Sequence, residues 1–309
     1  MSSPDGGLSP EARAFLAAIE PSSPVDPTRM DEIRAETRAG FTPASERAVE
    51  RFDLQLAVET IGGVECDVVR SGGRADGTTL YVFGGAFIVG DPWSDLPIIG
   101  ALAVGTGTEV VAPRYRLAPE HPAPAASHDI AAVHDALVAL GRIPDVISGE
   151  SAGGNLALLA AQRAVATGLP VPAALALLSP AVDLRTDADL FEPVLDSDPT
   201  LTLDRVVDVD ALYVAGADQR DPMISPLFGA MEGLPPTIVT TGTRDLLMPM
   251  CLRLDRRMRR AGVDVDTRVW DGLWHVFEYY DEYPEAAESL DEVVAFVERH
   301  RAHRSSASP

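Results

Sequence analysis

Short apolar runs alternate with amphipathic segments along the chain from Thr79 onward. Each run is bounded by Gly, Pro or Asp, and ten or more residues with helical periodicity separate most of them. The runs read TLYVF, EVVAP, DVIS, ALALLS, PTIVTTG and DTRVW. Apolar strands that alternate with helices form parallel sheets that are buried on both faces. The pattern therefore predicts an α/β fold with a mainly parallel sheet covered by helices on both faces.

Upstream of these runs, two segments alternate apolar and polar residues around Gly62 and Gly63. They read FDLQLAVETI and VECDVVRSG. Such alternation is typical of half-buried antiparallel strands, so we predict a hairpin that turns at the two glycines.

Two regions depart from this alternation. Residues 1–45 hold two short helical patterns, PEARAFLAAI and MDEIRAETRAGF, and residues 185–221 are rich in Asp and Pro with scattered apolar positions. We expect both regions to form a cap over the carboxyl ends of the strands. Residues 46–184 and 222–303 then form the α/β domain, and residues 304–309 form a frayed tail.

Composition narrows the class of protein. A chain of 309 residues with 46% hydrophobic content can bury a full core, and its net charge of −22 repels a phosphate backbone, so nucleic acid is not an expected partner. Cys66 and Cys251 are the only cysteines, too few for a disulfide framework or a metal cluster. The N-terminus lacks a signal-peptide pattern, and the longest nearly apolar run, VPAALALLSPAV, is too short to span a bilayer. We expect a cytoplasmic protein without integral membrane association, metal or cofactor, and a homodimer stays open.

One serine stands where a strand is predicted to turn into a helix. The segment DVISGESAGG places Ser151 between Gly149 and Gly153, just before the helical pattern NLALLAAQRAVA. A sharp strand-to-helix turn that exposes a nucleophile needs small residues at these two positions. Three small residues also occur together by chance in a chain with 25 glycines, so the motif alone does not decide between a nucleophile and a simple turn.

A nucleophilic serine needs a histidine base and an orienting acid, which follow it in this order in α/β-hydrolases. Only His275 follows a late strand in a loop. The acid that follows the preceding strand is Asp245; Asp271 and Glu278 are alternatives because they lie close to His275 in sequence. The other histidines are three that precede the serine and two in the terminal helix and tail, namely His121, His128, His134, His300 and His303. We expect His128 and His134 to lie on the solvated surface.

Backbone N–H groups must stabilise the oxyanion that forms during acyl transfer. Ala152 directly follows the serine, and the loop FGGAFIVG after TLYVF offers Gly84, Gly85 and Ala86. Six aromatic residues are candidates for the substrate pocket, although each fits a core equally well: Phe87, Trp93, Phe191, Tyr213, Trp274 and Phe277.

Several segments together resemble the hormone-sensitive-lipase-like esterases of the α/β-hydrolase superfamily. They are LYVFGGAFIVGD, YRLAPEHPAPAA, SGESAGG, DPMISPLFG, GTRDLL and GLWHVF, in the family's order. The resemblance implies an α/β-hydrolase fold with a mainly parallel eight-stranded sheet and a helical cap. It also implies Ser151, Asp245 and His275 as catalytic residues, with oxyanion donors from Gly85, Ala86 and Ala152.

Three positions depart from the family pattern. Phe83 replaces the histidine of the usual HGGG loop, Ala86 replaces its third glycine, and Val276 stands where a glycine usually follows the catalytic histidine. We expect Phe83 to hold the loop by packing, and Ala86 to supply an N–H from a backbone with negative φ.

These features indicate a carboxylic-ester hydrolase that acts through an acyl-enzyme on small, moderately apolar esters or lactones. The alternatives are a small-molecule binding protein on a hydrolase scaffold, or an amide or thioester hydrolase.

Overall fold

An eight-stranded sheet follows the apolar runs of the sequence in this computed structural model, which describes residues 7–19, 25–73, 75–280 and 282–307. The strands are β1 Leu54–Ile61, β2 Val64–Ser71, β3 Thr78–Val82, β4 Glu109–Pro113, β5 Pro144–Glu150, β6 Ala174–Leu178, β7 Thr237–Gly242 and β8 Val265–Trp270. Their order is β1-β2-β4-β3-β5-β6-β7-β8. β2 pairs antiparallel with β1 and β4, and all other pairs are parallel. The predicted α/β fold with a mainly parallel sheet is confirmed.

Burial explains the difference between central and edge strands. Every residue of β3, β4, β6 and β7 is buried, as continuous apolar runs require in a parallel sheet. Strand β1 lies at the edge of the sheet and buries only its two ends. The hairpin between β1 and β2 turns at Gly62 and Gly63, both of which have positive φ, as the alternating pattern predicts.

Helices pack against the sheet in pairs, with α3 against α8 and α4 against α5. Their bounds are α1 Pro10–Ala18, α2 Met30–Phe52, α3 Leu96–Thr106, α4 Ala125–Ala139, α5 Ser151–Thr167, α6 Leu203–Val214, α7 Met248–Arg260 and α8 Pro284–Ala307. No helix within the described ranges is both long and apolar enough to cross a bilayer.

The C-terminal helix is longer than expected. The frayed tail predicted from residue 304 is wrong for residues 304–307, which continue α8, while residues 308 and 309 lie outside the described ranges. The guanidinium groups of Arg301 and Arg304 donate hydrogen bonds to the carbonyl oxygens of Thr106 and Val171, both at 2.6 Å, and these bonds attach the end of the helix to the body of the protein.

The N-terminal segment and the insertion both contain helices. Helix α2 continues past the expected end of the N-terminal cap at residue 45, and residues 1–6 and 20–24 of that expected cap lie outside the described ranges. Arg34 joins α2 to the loops after β3 and β4, because its Nε donates to the carbonyl oxygen of Ile88 and its Nη2 to that of Ala118, both at 2.9 Å. The insertion holds two short 3₁₀ turns followed by α6.

Candidate active site

Ser151 stands at the junction of β5 and α5, with φ of 49°. The tight junction explains both neighbouring glycines. A Cβ atom at Gly149 would lie 2.5 Å from the carbonyl oxygen of Gly153, and one at Gly153 would lie 2.0 Å from the carbonyl oxygen of Val82. The strained, non-glycine φ of the serine is therefore fixed by close backbone packing on both sides.

His275 lies between the serine and a buried carboxylate. Its Nε2 is 2.9 Å from the Oγ of Ser151, and its Nδ1 is 3.0 Å from Oδ1 of Asp245. The carboxylate is fixed in turn by hydrogen bonds of 2.8 Å from the Thr241 hydroxyl and the Leu247 N–H. Such an arrangement can transfer a proton from the serine to the imidazole and stabilise the imidazolium that forms.

The two alternative acids have other partners. The buried Glu278 carboxylate accepts hydrogen bonds from the hydroxyls of Thr240 and Ser289, at 2.6 and 2.9 Å. Asp271 accepts a hydrogen bond from the Thr243 hydroxyl at 3.2 Å. Among the described residues, only Asp245 reaches the imidazole with a carboxylate oxygen.

Charges around the imidazole determine its basicity. Burial acts to lower the pKa of His275, but the charge and hydrogen bond of Asp245, followed by the charges of Asp198 and Glu150, raise the pKa to about 9. Burial likewise acts to raise the pKa of Asp245, yet the charge and hydrogen bond of His275 hold the pKa of this carboxyl below its usual value. Each member of the pair therefore favours the charged form of the other.

The loop after β3 places Gly85 and Ala86 in the wall of a cavity that Ser151 also lines. Gly85 and Ala86 have φ of 94° and 54°, so the expected negative φ of Ala86 is wrong. The turn is tight because the N–H groups of Ile88 and Val89 both bond the carbonyl oxygen of Gly85, at 3.1 and 3.0 Å. Among the described residues, no acceptor is found for the N–H groups of Gly85 and Ala86. Both N–H groups are therefore unbonded within the described part of the chain.

Gly84 does not fit the donor role given to it from sequence. Its N–H lies toward the Glu150 carboxylate and lowers the pKa of that group, and a Cβ at Gly84 would lie 2.1 Å from the Glu150 Oε1. The glycine is needed because the buried carboxylate occupies the space that a side chain would fill.

Two cavities meet at Ser151. The larger is an open cleft of about 640 Å³ lined in part by Phe41, Ala44, Gly85, Leu201, His275 and Tyr279. The smaller is a pocket of about 40 Å³ lined in part by Phe87, Ala152, Val206, Val209, Asp210 and Met250. Ala86 lines both cavities, and His275 lines only the cleft.

Comparison with known proteins agrees with this geometry. A family model described as alpha/beta hydrolase fold matches residues 79–279. The acetyl-hydrolase of Streptomyces hygroscopicus is 33% identical over 283 residues, which cover 86% of this chain and 93% of the relative. An esterase of Acinetobacter venetianus is 30% identical, over 79% of this chain and 82% of that protein. The chain belongs to the α/β-hydrolase-fold family.

Solved structures refine the assignment of this hydrolase. The crystal structure of EstE5 soaked with ethyl alcohol matches it with a TM-score of 0.87 at 29% identity, covering 95% of this chain and 99% of that one. An esterase from the bacterial hormone-sensitive lipase family matches with a TM-score of 0.84 at 28% identity, covering 96% and 99%. The resemblance to hormone-sensitive-lipase-like esterases is confirmed, and the protein is a hydrolase of the carboxylesterase type.

In this hydrolase, other contacts hold the loop after β3 where the family pattern has a histidine. The ring of Phe83 stacks on Tyr115 with centroids 4.2 Å apart and planes 14° apart. The Tyr115 hydroxyl in turn donates to the carbonyl oxygens of Phe83 and Gly84. The loop is thus held by the expected packing of Phe83 and also by hydrogen bonds from Tyr115, which the sequence reasoning did not single out.

Five of the six aromatic candidates line neither of the cavities that adjoin Ser151 in the described part of the hydrolase. They are Trp93, Phe191, Tyr213, Trp274 and Phe277, and only Phe87 lines the small pocket. Most are buried in other packing: Trp274 stacks on Phe15 of α1 at 4.5 Å, and Tyr213 stacks on Phe87 at 3.7 Å. The cleft is lined instead by residues of α2 and of the segment before α6.

Asp198 is a further residue of the site that the sequence reasoning missed. Its buried Oδ2 accepts hydrogen bonds from the N–H of Leu246 at 3.0 Å and the N–H of His275 at 3.2 Å. Oδ1 accepts from the N–H groups of Thr200 and Leu201. Burial and the charge of Asp245 raise the pKa of Asp198. The insertion is thereby attached to both loops that carry the acid and the histidine.

Glu150 was also missed. It is fully buried directly before the serine, and burial raises its pKa to about 7 against the lowering effects of the Tyr279 hydroxyl and His275. Within the described ranges, neither oxygen of the Glu150 carboxylate has a hydrogen-bond partner with good distance and angle. In the sequence, the only indication that Glu150 belongs to the site is its position directly before Ser151 in GESAGG.

The expected surface position of His134 is wrong. The sequence placed it on the solvated surface with His128, but only His128 is exposed, whereas His134 is 1% exposed. It lies on the buried face of α4 with Ile130, Val133 and Leu137, one helical turn apart.

In the described part of the chain, no group of three His, Cys, Asp or Glu side chains could hold a metal ion.

Proposed function

We propose that the protein is a serine carboxylic-ester hydrolase that acts through an acyl-enzyme. The observation that carries the proposal is the continuous relay from Ser151 through His275 to Asp245, with distances of 2.9 and 3.0 Å, located where two cavities meet. Gly85, Ala86 and Ala152 supply the oxyanion donors in this proposal, and no cofactor takes part.

The reaction proceeds in two balanced halves. The Oγ of Ser151 attacks the ester carbonyl carbon while its proton passes to Nε2 of His275. The tetrahedral oxyanion then collapses, the bond to the alcohol oxygen breaks, and His275 returns the proton to that oxygen. Water attacks the acyl-serine with the same base, and the acid and the free serine are released.

The position of His275 supports one orientation of the substrate. The departing oxygen must receive its proton from the imidazole, so the alcohol belongs on the side that His275 lines, which is the large cleft. The acyl chain then enters the small pocket, which Ala86 and Ala152 line. The small pocket has a volume of about 40 Å³, against about 640 Å³ for the cleft, and this small size favours short acyl groups. The relatives named acetyl-hydrolase and esterase are consistent with this preference.

Residues 7–19, 25–45 and 185–221, which are the described parts of the expected cap, form the cap of the cleft in this proposal. The support is that α2 and the segment around Leu201 line the cleft together with the serine. We also propose a cytoplasmic location, because Cys66 and Cys251 are both buried and free, as is usual in a reducing compartment. Light scattering would distinguish a monomer from the homodimer that the sequence analysis left open.

Hydrolysis of p-nitrophenyl acetate by wild type and two serine variants tests the proposal. Ser151→Ala should lower kcat by about 10⁴-fold or more without changing Tm. Ser148→Ala is the matched control, because Ser148 lies on the same strand, is fully buried and takes no part in the relay. Its turnover should stay near that of wild type.

Mass spectrometry of wild type treated with an organophosphate should show one adduct, on the peptide that contains Ser151. Wild-type turnover in Ser151→Ala would remove the proposal. A folded protein that binds esters but hydrolyses none would favour a binding protein instead, and preference for matched amides or thioesters would favour the chemical variants.

A further inference from the structure

Helix α6 buries one carboxyl group and one phenol hydroxyl on a face whose other residues are valines. The residues that α6 buries are Val206, Val209, Asp210, Tyr213 and Val214. Asp210 is only 5% exposed, and it lines the small pocket that Ser151 also lines. Carboxyl groups are almost never buried in proteins without a partner.

A second carboxyl group of the same pocket shows what a partnered one looks like. Asp183 accepts hydrogen bonds at 2.9 and 2.8 Å from Arg185, and Arg253 lies 3.4 Å away. For Asp210, no hydrogen bond or ion pair is found among the described residues, and only burial and the charge of Asp183 act on it. The two aspartates are therefore chemically distinct.

Both influences raise the pKa of Asp210 well above its usual value, burial first and the charge of Asp183 second. A neutral carboxylic acid is both a hydrogen-bond donor and an acceptor. A buried group of this kind destabilises the fold unless something bonds to it, and an apolar residue of similar size would be more stable there. Its partner is therefore to be sought among molecules that enter the pocket.

We propose that Asp210 determines acyl specificity by hydrogen bonding to a hydroxyl group at the end of a short acyl chain, so that esters of short hydroxy acids are preferred substrates. The inference rests on the proposed function, because it places the acyl chain in the small pocket. Asp210 contacts the substrate away from the reacting atoms, so it affects which ester is hydrolysed rather than how.

Two pairs of ethyl esters differ only by a hydroxyl in place of a methyl group: glycolate with propionate, and 3-hydroxypropionate with butyrate. We measure kcat/KM for all four by titration of released acid, and divide each ratio by the ratio of the alkaline hydrolysis rates. Wild type should prefer the hydroxylated ester of at least one pair by about tenfold. A corrected wild-type ratio at or below one for both pairs would overturn the proposal without any variant.

Asp210→Leu should reverse the preference, because it removes the bonding group and fills the pocket with apolar surface. The corrected ratio of the preferred pair should fall by about tenfold or more, while kcat/KM for the unsubstituted ester is kept or rises. Asp210→Asn should keep most of the preference, since an amide donates and accepts as a neutral acid does. Asp208→Asn on the exposed face of the same helix is the control and should match wild type.

An equal loss on both esters in Asp210→Leu would indicate a structural role and overturn the inference. An unchanged ratio in that variant would do the same. Both outcomes leave ester hydrolysis itself intact, so they are distinct from failure of the proposed function, in which wild type would hydrolyse none of the four esters.

Discussion

The hydroxyl of Tyr115 lies 2.9 Å from the carbonyl oxygen of Phe83 and 3.3 Å from that of Gly84, while its ring stacks on Phe83. One side chain thus holds the start of the loop after β3 both by hydrogen bonds and by ring packing. Both groups are buried, so water cannot replace either contact.

Loss of this support should affect the transition state more than substrate binding. Phe83→Ala and Tyr115→Phe should each lower kcat by about 10-fold to 100-fold, with a smaller change in KM, because oxyanion contacts strengthen only as charge develops. Phe83→His should not exceed wild type, since the surrounding site packs an apolar ring. Unchanged kcat in Phe83→Ala would show that the loop is held by other contacts.

The pH dependence should reflect the raised pKa of His275. Sequence alone suggests an ordinary histidine that titrates at about 6 to 7. With a pKa of about 9, the imidazole is mostly protonated at neutral pH and only its neutral form accepts the serine proton. We therefore expect kcat/KM to rise about 100-fold between pH 6 and 8, to reach half its maximum near pH 9 and to level off above about pH 10.

Asp245→Asn checks the cause of that profile. Removing the charge that stabilises the imidazolium should lower the apparent pKa, together with a large loss of kcat. A profile that is flat from pH 6 to 8 in wild type, with chemistry limiting, would contradict the assignment of the base.

Asp198 should act as a positioning residue. Asp198→Asn removes a charge that raises the pKa of His275, and it weakens the bonds to the N–H groups of Leu246 and His275. We expect kcat to fall by about 10-fold and the pH profile to move to lower pH. Asp196→Asn, on an exposed residue of the same segment, is the charge-matched control. An unmoved profile in Asp198→Asn would limit the residue to a structural role.

Removal of α1 should destabilise the fold next to the loop that carries His275. Phe15 of α1 stacks on Trp274, the neighbour of His275, and Ser9 donates to the Glu285 carboxylate through its N–H and its hydroxyl. Deletion of residues 1–25 stops before α2 and should lower Tm by about 3 °C or more. Phe15→Ala in the full chain should reproduce part of the loss. Equal Tm and equal ester preference in the truncated protein would contradict this role for α1.

Chain order was sufficient to bring Ser151, Asp245 and His275 together, because each follows its own strand and parallel strands end at one edge of the sheet. Asp198 could not be found in this way, since its partners are backbone N–H groups 48 and 77 residues away. The aromatic candidates failed for a related reason. Hydrophobicity indicates that a ring is buried, but it does not say whether Trp274 faces a cavity or another ring.

Ala86 shows a different limit. Its residue type favours negative φ, yet the hydrogen bonds that close the loop on Gly85 impose a left-handed conformation. The hydrogen bonds of the loop therefore determine the backbone conformation of Ala86, against the preference of alanine for negative φ. Tyr115 was quoted within a motif, but its role depends on Phe83, which lies on a different strand end.

The four N–H groups that converge on Asp198 have a consequence for protein engineering. Two belong to the insertion, and two belong to the loops of Asp245 and His275. A chimera that takes residues 185–221 from a relative without an acceptor at this position would leave the two loop N–H groups unbonded, at about 1 to 3 kcal/mol each. The insertion is therefore not a freely exchangeable module, and recombination libraries should exchange it together with both loops.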